Sequence, residues 1–228
     1  MTFEEFSDRV RLSMEDICRD IFYENREAIK VKKEAVVVKN LVNIYNATLR
    51  LSNVKGFHAM SLRELARESS MSLGGLYSYF TSKEQLLDII QQQGYRITRD
   101  ILAETVDIDA DPEEKLKAAI TAHLYLSEAM QPWFYFFYME AKNLGREEQK
   151  KAIASELYTE QIFSDILAQG MAEGCFANHD PVMTASLIKA MLQDWYLKRW
   201  KYSRRKVTVE AYAEVIFNFT INNIKTNN

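Results

Sequence analysis

The sequence predicts an all-α fold, on three observations. Apolar residues recur at steps of three and four along nearly the whole chain. Glycine and proline are scarce, seven and three in 228 residues, so the chain has few places to turn. The punctuation that exists, Ser, Thr or Asp followed by acidic residues, marks helix starts. The β-branched stretch at residues 35–38 is the one strand-like signal, and it runs straight into a helical pattern. With 47% hydrophobic and 27% charged residues, the composition is that of a globular protein with a real core.

In chain order, the first expected helix covers residues 3–33, with Phe3, Phe6, Val10, Met14, Ile17, Ile21 and Phe22 on one side. Residues 37–53 carry Leu41, Ile44, Tyr45, Thr48, Leu49 and Leu51 on a second helix, ended by Gly56. Ser61-Leu62-Arg63-Glu64 is a capping-box pattern, in which the hydroxyl caps the helix and the glutamate reaches back. The run from Ser82 to Gln85 repeats that signature and opens a helix to about residue 106. Asp111-Pro112-Glu113-Glu114 starts the next: the proline needs no partner there, and the two acids meet the positive end of the helix dipole. Gln131-Pro132 breaks that helix, and an aromatic one follows to about residue 143, stopped by Gly145. Residues 146–172, 180–202 and 208–224 complete about ten helices and no sheet. The expected organisation is a helical extension over residues 1–36, a small domain over 37–82, and a larger domain over 83–228.

Charge is distributed unevenly. Eight basic and four acidic residues lie between Lys39 and Arg99, a local surplus of positive charge on a chain whose net charge is -3. That fits nucleic-acid contact confined to one end. Cys18 and Cys175 have no paired spacing, and no leader peptide is evident, so they read as reduced thiols of a cytoplasmic protein. The longest apolar runs are too short to span a bilayer, so no membrane partner is expected.

Residues 61–87 read as two short helices about a tight turn, followed by the capped start of a longer one. That is the plan of a helix-turn-helix, whose second helix lies in the DNA major groove. Gly74 and Gly75 let the backbone approach DNA, Tyr77, Ser78 and Tyr79 supply hydroxyls, and Ser72 caps the helix so that its N–H groups face a phosphate. Lys83 is a natural phosphate contact, and Leu62, Leu65, Ala66, Leu76 and Phe80 form a small core. Helical spacing alone fits as well a plain loop with packed tyrosines.

The segment resembles the DNA-binding domain of the TetR (tetracycline repressor-like) family of bacterial regulators. Ser61, Arg63, Leu65, Ala66, Ser70, Met71, Ser72, Gly74, Leu76, Tyr77, Tyr79, Phe80, Ser82, Lys83, Glu84 and Leu86 stand in register with its motif, and Gly56-Phe57-His58-Ala59 resembles its preceding turn. The resemblance covers about residues 41–90. It implies a double-stranded operator as partner, with Tyr77, Tyr79 and Lys83 on phosphates, Ser61 capping and touching the backbone, and Leu73, Gly75 and Ser78 facing base edges. Arg63, Ser72 and Gly74 complete the expected DNA-binding set. Departures from the motif are Leu73 where Lys is common, Gly75 where Thr or Ser is common, Ser78 where an aromatic is common, and Ser52 where a core Phe is usual. Readout then rests on a Leu73 contact to a thymine methyl, on Ser78 or on DNA shape.

The densest aromatic cluster is residues 133–139. It reads equally as a packed core or as the wall of an apolar pocket. The resemblance implies a pocket for a small lipophilic or aromatic effector, with His123, Tyr125, Trp133, Phe134, Phe137, Tyr138, Phe163 and Trp195 as lining candidates and Glu140 nearby. It also implies a homodimer through the last two long helices, with Leu187, Met191, Trp195, Tyr212, Ile216 and Phe219 as interface candidates. No nucleophile motif, phosphate loop or metal-ligand spacing stands out, so neither catalysis, a cofactor nor a metal is expected. The expected function is a ligand-responsive, homodimeric repressor released from a pseudo-palindromic operator by its effector. Rival readings are a DNA-binding regulator whose larger domain takes a protein partner, an all-α lipophile carrier, and an activator in place of a repressor.

Overall fold

The computed structural model describes residues 1–10, 13–106, 109–141 and 145–226. Twelve helices are present among them, with one isolated antiparallel bridge, Phe176 with Lys225. They are α1 (Phe3–Val10), α2 (Met14–Glu24), α3 (Glu34–Lys55), α4 (Leu62–Glu68), α5 (Leu73–Leu76), α6 (Lys83–Val106), α7 (Pro112–Ala129), α8 (Gln131–Glu140), α9 (Arg146–Ala172), α10 (Pro181–Leu197), α11 (Arg199–Arg204) and α12 (Val209–Ile224). The fold is all-α.

Two expected helices are divided. The apolar rhythm of residues 3–33 runs across a break: Ser13 caps α2 by accepting from the Asp16 N–H at 3.1 Å, and Asn25 ends it. Periodicity hid that break because Val10, Met14 and Ile17 keep helical spacing through it, while Ser13 with Asp16 three residues on was the available start signal. The helix expected over 180–202 changes direction at Lys198 (φ -120, ψ 35), where α11 begins. Other starts follow the sequence. Asp111, Asp180 and Thr208 each accept backbone N–H groups as caps. The expected end of the aromatic helix near residue 143 lies outside the described residues.

The chain packs as two units that interleave along the sequence: Met1–Val10, Arg96–Gln131 and Lys151–Asn228 in one, Arg11–Tyr95 and Pro132–Lys150 in the other. The second unit holds α2 to α5, the start of α6 and nearly all of α8. Helix α2 packs on α3, α3 on α4, and α4 on α5. Its core comprises Ile21 and Phe22 of α2, Ile44 and Tyr45 of α3, Leu65, Leu76, Phe80 and Ile90, with Trp133 and Phe136 of α8. The Trp133 ring stacks on Tyr45 (5.7 Å, 4° between planes), and the buried Glu140 carboxylate accepts from the Phe57 N–H at 2.9 Å. The aromatic helix therefore closes the core of the unit that carries the helix-turn-helix.

The first unit is built on α7, against which α12, α10 and α1 pack. Leu116, Ile120 and Leu124 of α7 meet a core that includes Phe163, Leu167, Ile188, Leu192, Trp195 and Ile216. Helix α1 is seated by Phe3 and Phe6, whose rings meet Tyr125 edge-on at 5.6 and 5.5 Å. The turn after α9 depends on Gly170, whose carbonyl accepts from Cys175 and Phe176 at 2.9 and 3.0 Å while the buried Phe176 ring fills the space a side chain would need. Gly170→Ala is expected to displace that ring and cost about 1–3 kcal/mol. In a chain of this size that lowers Tm by roughly 2–4 °C per kcal/mol, measurable by thermal unfolding.

Candidate functional site

The helix-turn-helix is assembled by local chemistry. Ser61 (φ -93, ψ 152) accepts from the Glu64 N–H at 3.2 Å, and Glu64 accepts from the Ser61 N–H at 2.9 Å, so the capping box is complete. A hydrogen bond from Lys55 to Glu64, with those from Ser61, pulls the Glu64 carboxyl down to about 2. The Arg50–Glu68 pair, at 2.8 Å, joins α3 to α4 a second time. The turn passes through Ser69, whose buried hydroxyl donates to the Leu65 carbonyl at 2.7 Å, and Ser70, which sits at φ 58. That left-handed conformation costs an L-residue about 1–2 kcal/mol. Ser70→Gly is expected to stabilise the protein by about 0.5–1 kcal/mol, the relief of strain exceeding the added unfolded-state entropy. A denaturant midpoint unchanged or lowered would contradict this.

The second helix, α5, is a single turn of four residues. Ser72 caps it by accepting from the Gly75 N–H at 3.0 Å. Beyond it the chain tightens, with Ser78 N–H to Gly75 carbonyl and Tyr79 N–H to Leu76 carbonyl at 3.1 and 3.0 Å. Leu76 and Phe80 anchor the inner face. Ser72, Gly74 and Tyr77 are exposed, and Leu73, Gly75 and Ser78 are half-buried. A side chain built on Gly74 would meet nothing within 4 Å, so this backbone faces open space. Ser61 and Arg63 are likewise exposed at the start of α4.

Two residues expected on phosphates have other engagements. Tyr79 is buried, and its hydroxyl accepts from Asn40 of α3 at 2.6 Å. The Lys83 ammonium donates to the carbonyls of Phe57, His58 and Met60 at 3.3, 2.8 and 3.2 Å and lies over the Phe57 ring. It ties the start of α6 to the turn between α3 and α4. Lys83→Met is therefore expected to lower stability by about 1–3 kcal/mol through the carbonyls left without it, read as a fall in Tm in the absence of DNA. Sequence reasoning missed one support: the Lys30 N–H, after α2, donates to the Ser78 carbonyl at 2.9 Å and pins the end of the second helix. No sequence signal points to a bond between residues so far apart.

The eight pocket candidates fall into separate settings. Trp133, Phe134, Phe137 and Tyr138 are on α8 in the unit with the helix-turn-helix, where Phe137 packs over Gly94 and beside Tyr95. In the other unit, Tyr125 forms the seat of α1, and His123 lies beside Phe163. Trp195 stacks on Tyr202, lies tilted against Tyr212 at 5.0 Å, donates to Glu128 at 2.9 Å, and is covered by the Arg199 guanidinium. A surface cleft of about 440 Å³ in that unit is lined by Phe3, Glu128, Arg199, Ser203 and residues 206–210, and by none of the eight.

The six interface candidates also divide. Trp195, Tyr212 and Ile216 are buried within their own subunit and Met191 is half-buried. Leu187 and Phe219 are each 60% exposed, and each has an exposed apolar neighbour one turn away, Met183 on α10 and Val215 on α12. Those four make an uncovered apolar stripe on the last two long helices. Among the described residues, no group of three or more His, Cys, Asp or Glu could hold a metal ion, and no helix is long and apolar enough to cross a membrane.

Residues 44–90 match the family description "Bacterial regulatory proteins, tetR family", and residues 109–222 match "Tetracyclin repressor-like, C-terminal domain". The HTH-type transcriptional repressor KstR2 of Mycobacterium tuberculosis is 25% identical over 149 residues, covering 64% of this chain and 73% of that protein. The crystal structure of the TetR-family regulator PfmR from Thermus thermophilus superposes with a TM-score of 0.70 at 26% identity, over 78% of this chain and 97% of that one. AibR in complex with isovaleryl coenzyme A and operator DNA has a TM-score of 0.68 at 22% identity, over 79% of this chain and 97% of that one, a likeness of fold.

Proposed function

The chain belongs to the TetR family of DNA-binding transcriptional regulators, and we propose that it works as a homodimeric repressor released from its operator by a small effector. The carrying observation is the outer side of α5: Ser72, Gly74 and Tyr77 exposed, with Leu73, Gly75 and Ser78 beside them, on a backbone that can approach DNA closely. Tyr77 and Ser61 are assigned to phosphates, and Leu73, Gly75 and Ser78 to base edges. Arg63, exposed near the start of α4, adds a phosphate contact. Tyr79 and Lys83 act by holding α5 and the preceding turn in place.

The exposed stripe of Met183, Leu187, Val215 and Phe219 supports a dimer. A two-fold pair places two reading helices about one helical turn apart on the operator. The effector, a small lipophile taken up by the larger domain, favours the dimer shape that no longer matches that spacing. A coupling of about 1–3 kcal/mol is enough, at about 1.4 kcal/mol for each tenfold in affinity.

The test is binding of the purified protein to the DNA upstream of its own gene, beside a scrambled fragment of equal length, at two salt concentrations. Preference for the native fragment that persists at the higher salt supports a sequence-reading regulator. Equal, salt-sensitive affinity for both fragments reports phosphate contacts alone and counts against it.

A further inference from the structure

Helix α10, largely apolar, carries a buried cation. Lys189 lies among Ala185, Ile188 and Leu192, and only 4% of its side chain is exposed. Its ammonium is 3.1 Å from His123 Nε2 on α7, donates to Thr159 Oγ1 on α9 at 2.8 Å, and lies 3.5 Å from Glu156 Oε2. Two of these partners are neutral and close. The anionic one is farther than a charge-assisted hydrogen bond, which runs to about 2.7–2.9 Å. Glu156 is also 45% exposed, and its other oxygen is held by Gln193 Nε2 at 2.7 Å. Glu160, one turn on, is occupied by the Ser186 hydroxyl at 2.8 Å. The buried charge thus keeps its counter-charge at arm's length, on a side chain already half in water.

We propose that Lys189, positioned by its bonds to His123 and Thr159, is an anchor for the carboxylate of the effector, which takes the place of Glu156 at the ammonium. The exchange substitutes one carboxylate for another, so the buried net charge is unchanged. Glu156 goes to solvent, where its desolvation cost is recovered. A neutral alcohol offers no such compensation for the cation, and a cationic ligand such as choline is repelled by it. The apolar tail has a place on Ile153 and Leu157 of α9, which stand near Glu156 in the helix and are exposed by 53% and 57%. His123 holds its part as a neutral ring, since burial and the neighbouring ammonium both lower its proton affinity; it then accepts through Nε2. The effector class is accordingly a monocarboxylate with an aliphatic tail. This rests on the ligand-responsive reading above for its regulatory meaning.

The experiment is a thermal-shift and calorimetric titration of the full chain, without DNA, with straight-chain carboxylates from butyrate to dodecanoate, the alcohols of matching length, and choline. At least one carboxylate is expected to raise Tm and to bind at least about tenfold more tightly than its alcohol, with no effect of choline. Lys189→Met, an apolar replacement of similar length that removes a costly buried charge and keeps the fold, is expected to erase the preference. Glu156→Gln removes the competing anion and is expected to tighten carboxylate binding several-fold. Carboxylate and alcohol binding alike, no carboxylate binding anywhere in the series, or a preference that survives in Lys189→Met would overturn the proposal. None of these outcomes involves DNA, so they are separable from failure of the upstream-fragment test.

Discussion

Gly74→Glu is expected to abolish operator binding while leaving the fold untouched. Gly74 is exposed on α5, and a side chain there meets no atom within 4 Å. Its φ is not in the positive range that only glycine tolerates readily. Replacing a helical glycine also favours the helix by up to about 1 kcal/mol. The protein should fold at least as stably as before. On DNA the same carboxylate would point at a surface of phosphates in a place where close backbone approach is required. A loss of more than about a hundredfold in affinity is expected, about 2.7 kcal/mol. Fluorescence anisotropy on the upstream fragment, paired with a melting curve, separates the two effects. Unchanged affinity at unchanged Tm would mean that α5 does not face DNA.

The second large effect is expected at the apolar stripe on α10 and α12. Leu187→Glu with Phe219→Glu places two charges on positions that are 60% exposed in the subunit, so the monomer loses no core packing. In a two-fold interface each change appears twice, on both sides of a dry contact. An unpaired charge buried in such a contact costs several kcal/mol. Sedimentation at micromolar concentration should find monomers, with a Tm that no longer rises with protein concentration. Operator affinity should fall steeply as well, because two half-sites are no longer engaged by one particle. A variant that stays dimeric would place the interface on another face.

Much of the DNA-binding end was legible in the sequence because its signals are local. Ser61 with Glu64 and Ser72 before Gly75 specify hydrogen bonds within one turn of helix, and the structure forms each cap. The partners that Tyr79 and Lys83 take within the chain were not legible. Their partners, Asn40 and the carbonyls of residues 57, 58 and 60, are reached only after α3, α5 and α6 have packed. The same limit applies to the aromatic run of α8. Its rings announce burial, but whether they wall a pocket or close a core depends on what arrives opposite them, and Tyr45 stacks on Trp133. On α10 and α12 the apolar period could not separate Leu187 and Phe219, left outside, from Trp195 and Tyr212, taken inside. A stripe that faces a core on one side and solvent on the other carries one period for two environments.

By itself the sequence determined the helical class, the starts of most helices and the helix-turn-helix, all of which depend on interactions spanning a few residues. Only the tertiary structure decided that Tyr77 stands exposed while Tyr79 is buried with its hydroxyl on Asn40. It likewise decided that α1 and α2 belong to different packing units, and that a lysine on an apolar helix meets a histidine 66 residues away. Those outcomes follow from the side chains that packing brings together across the chain, and no local pattern encodes them.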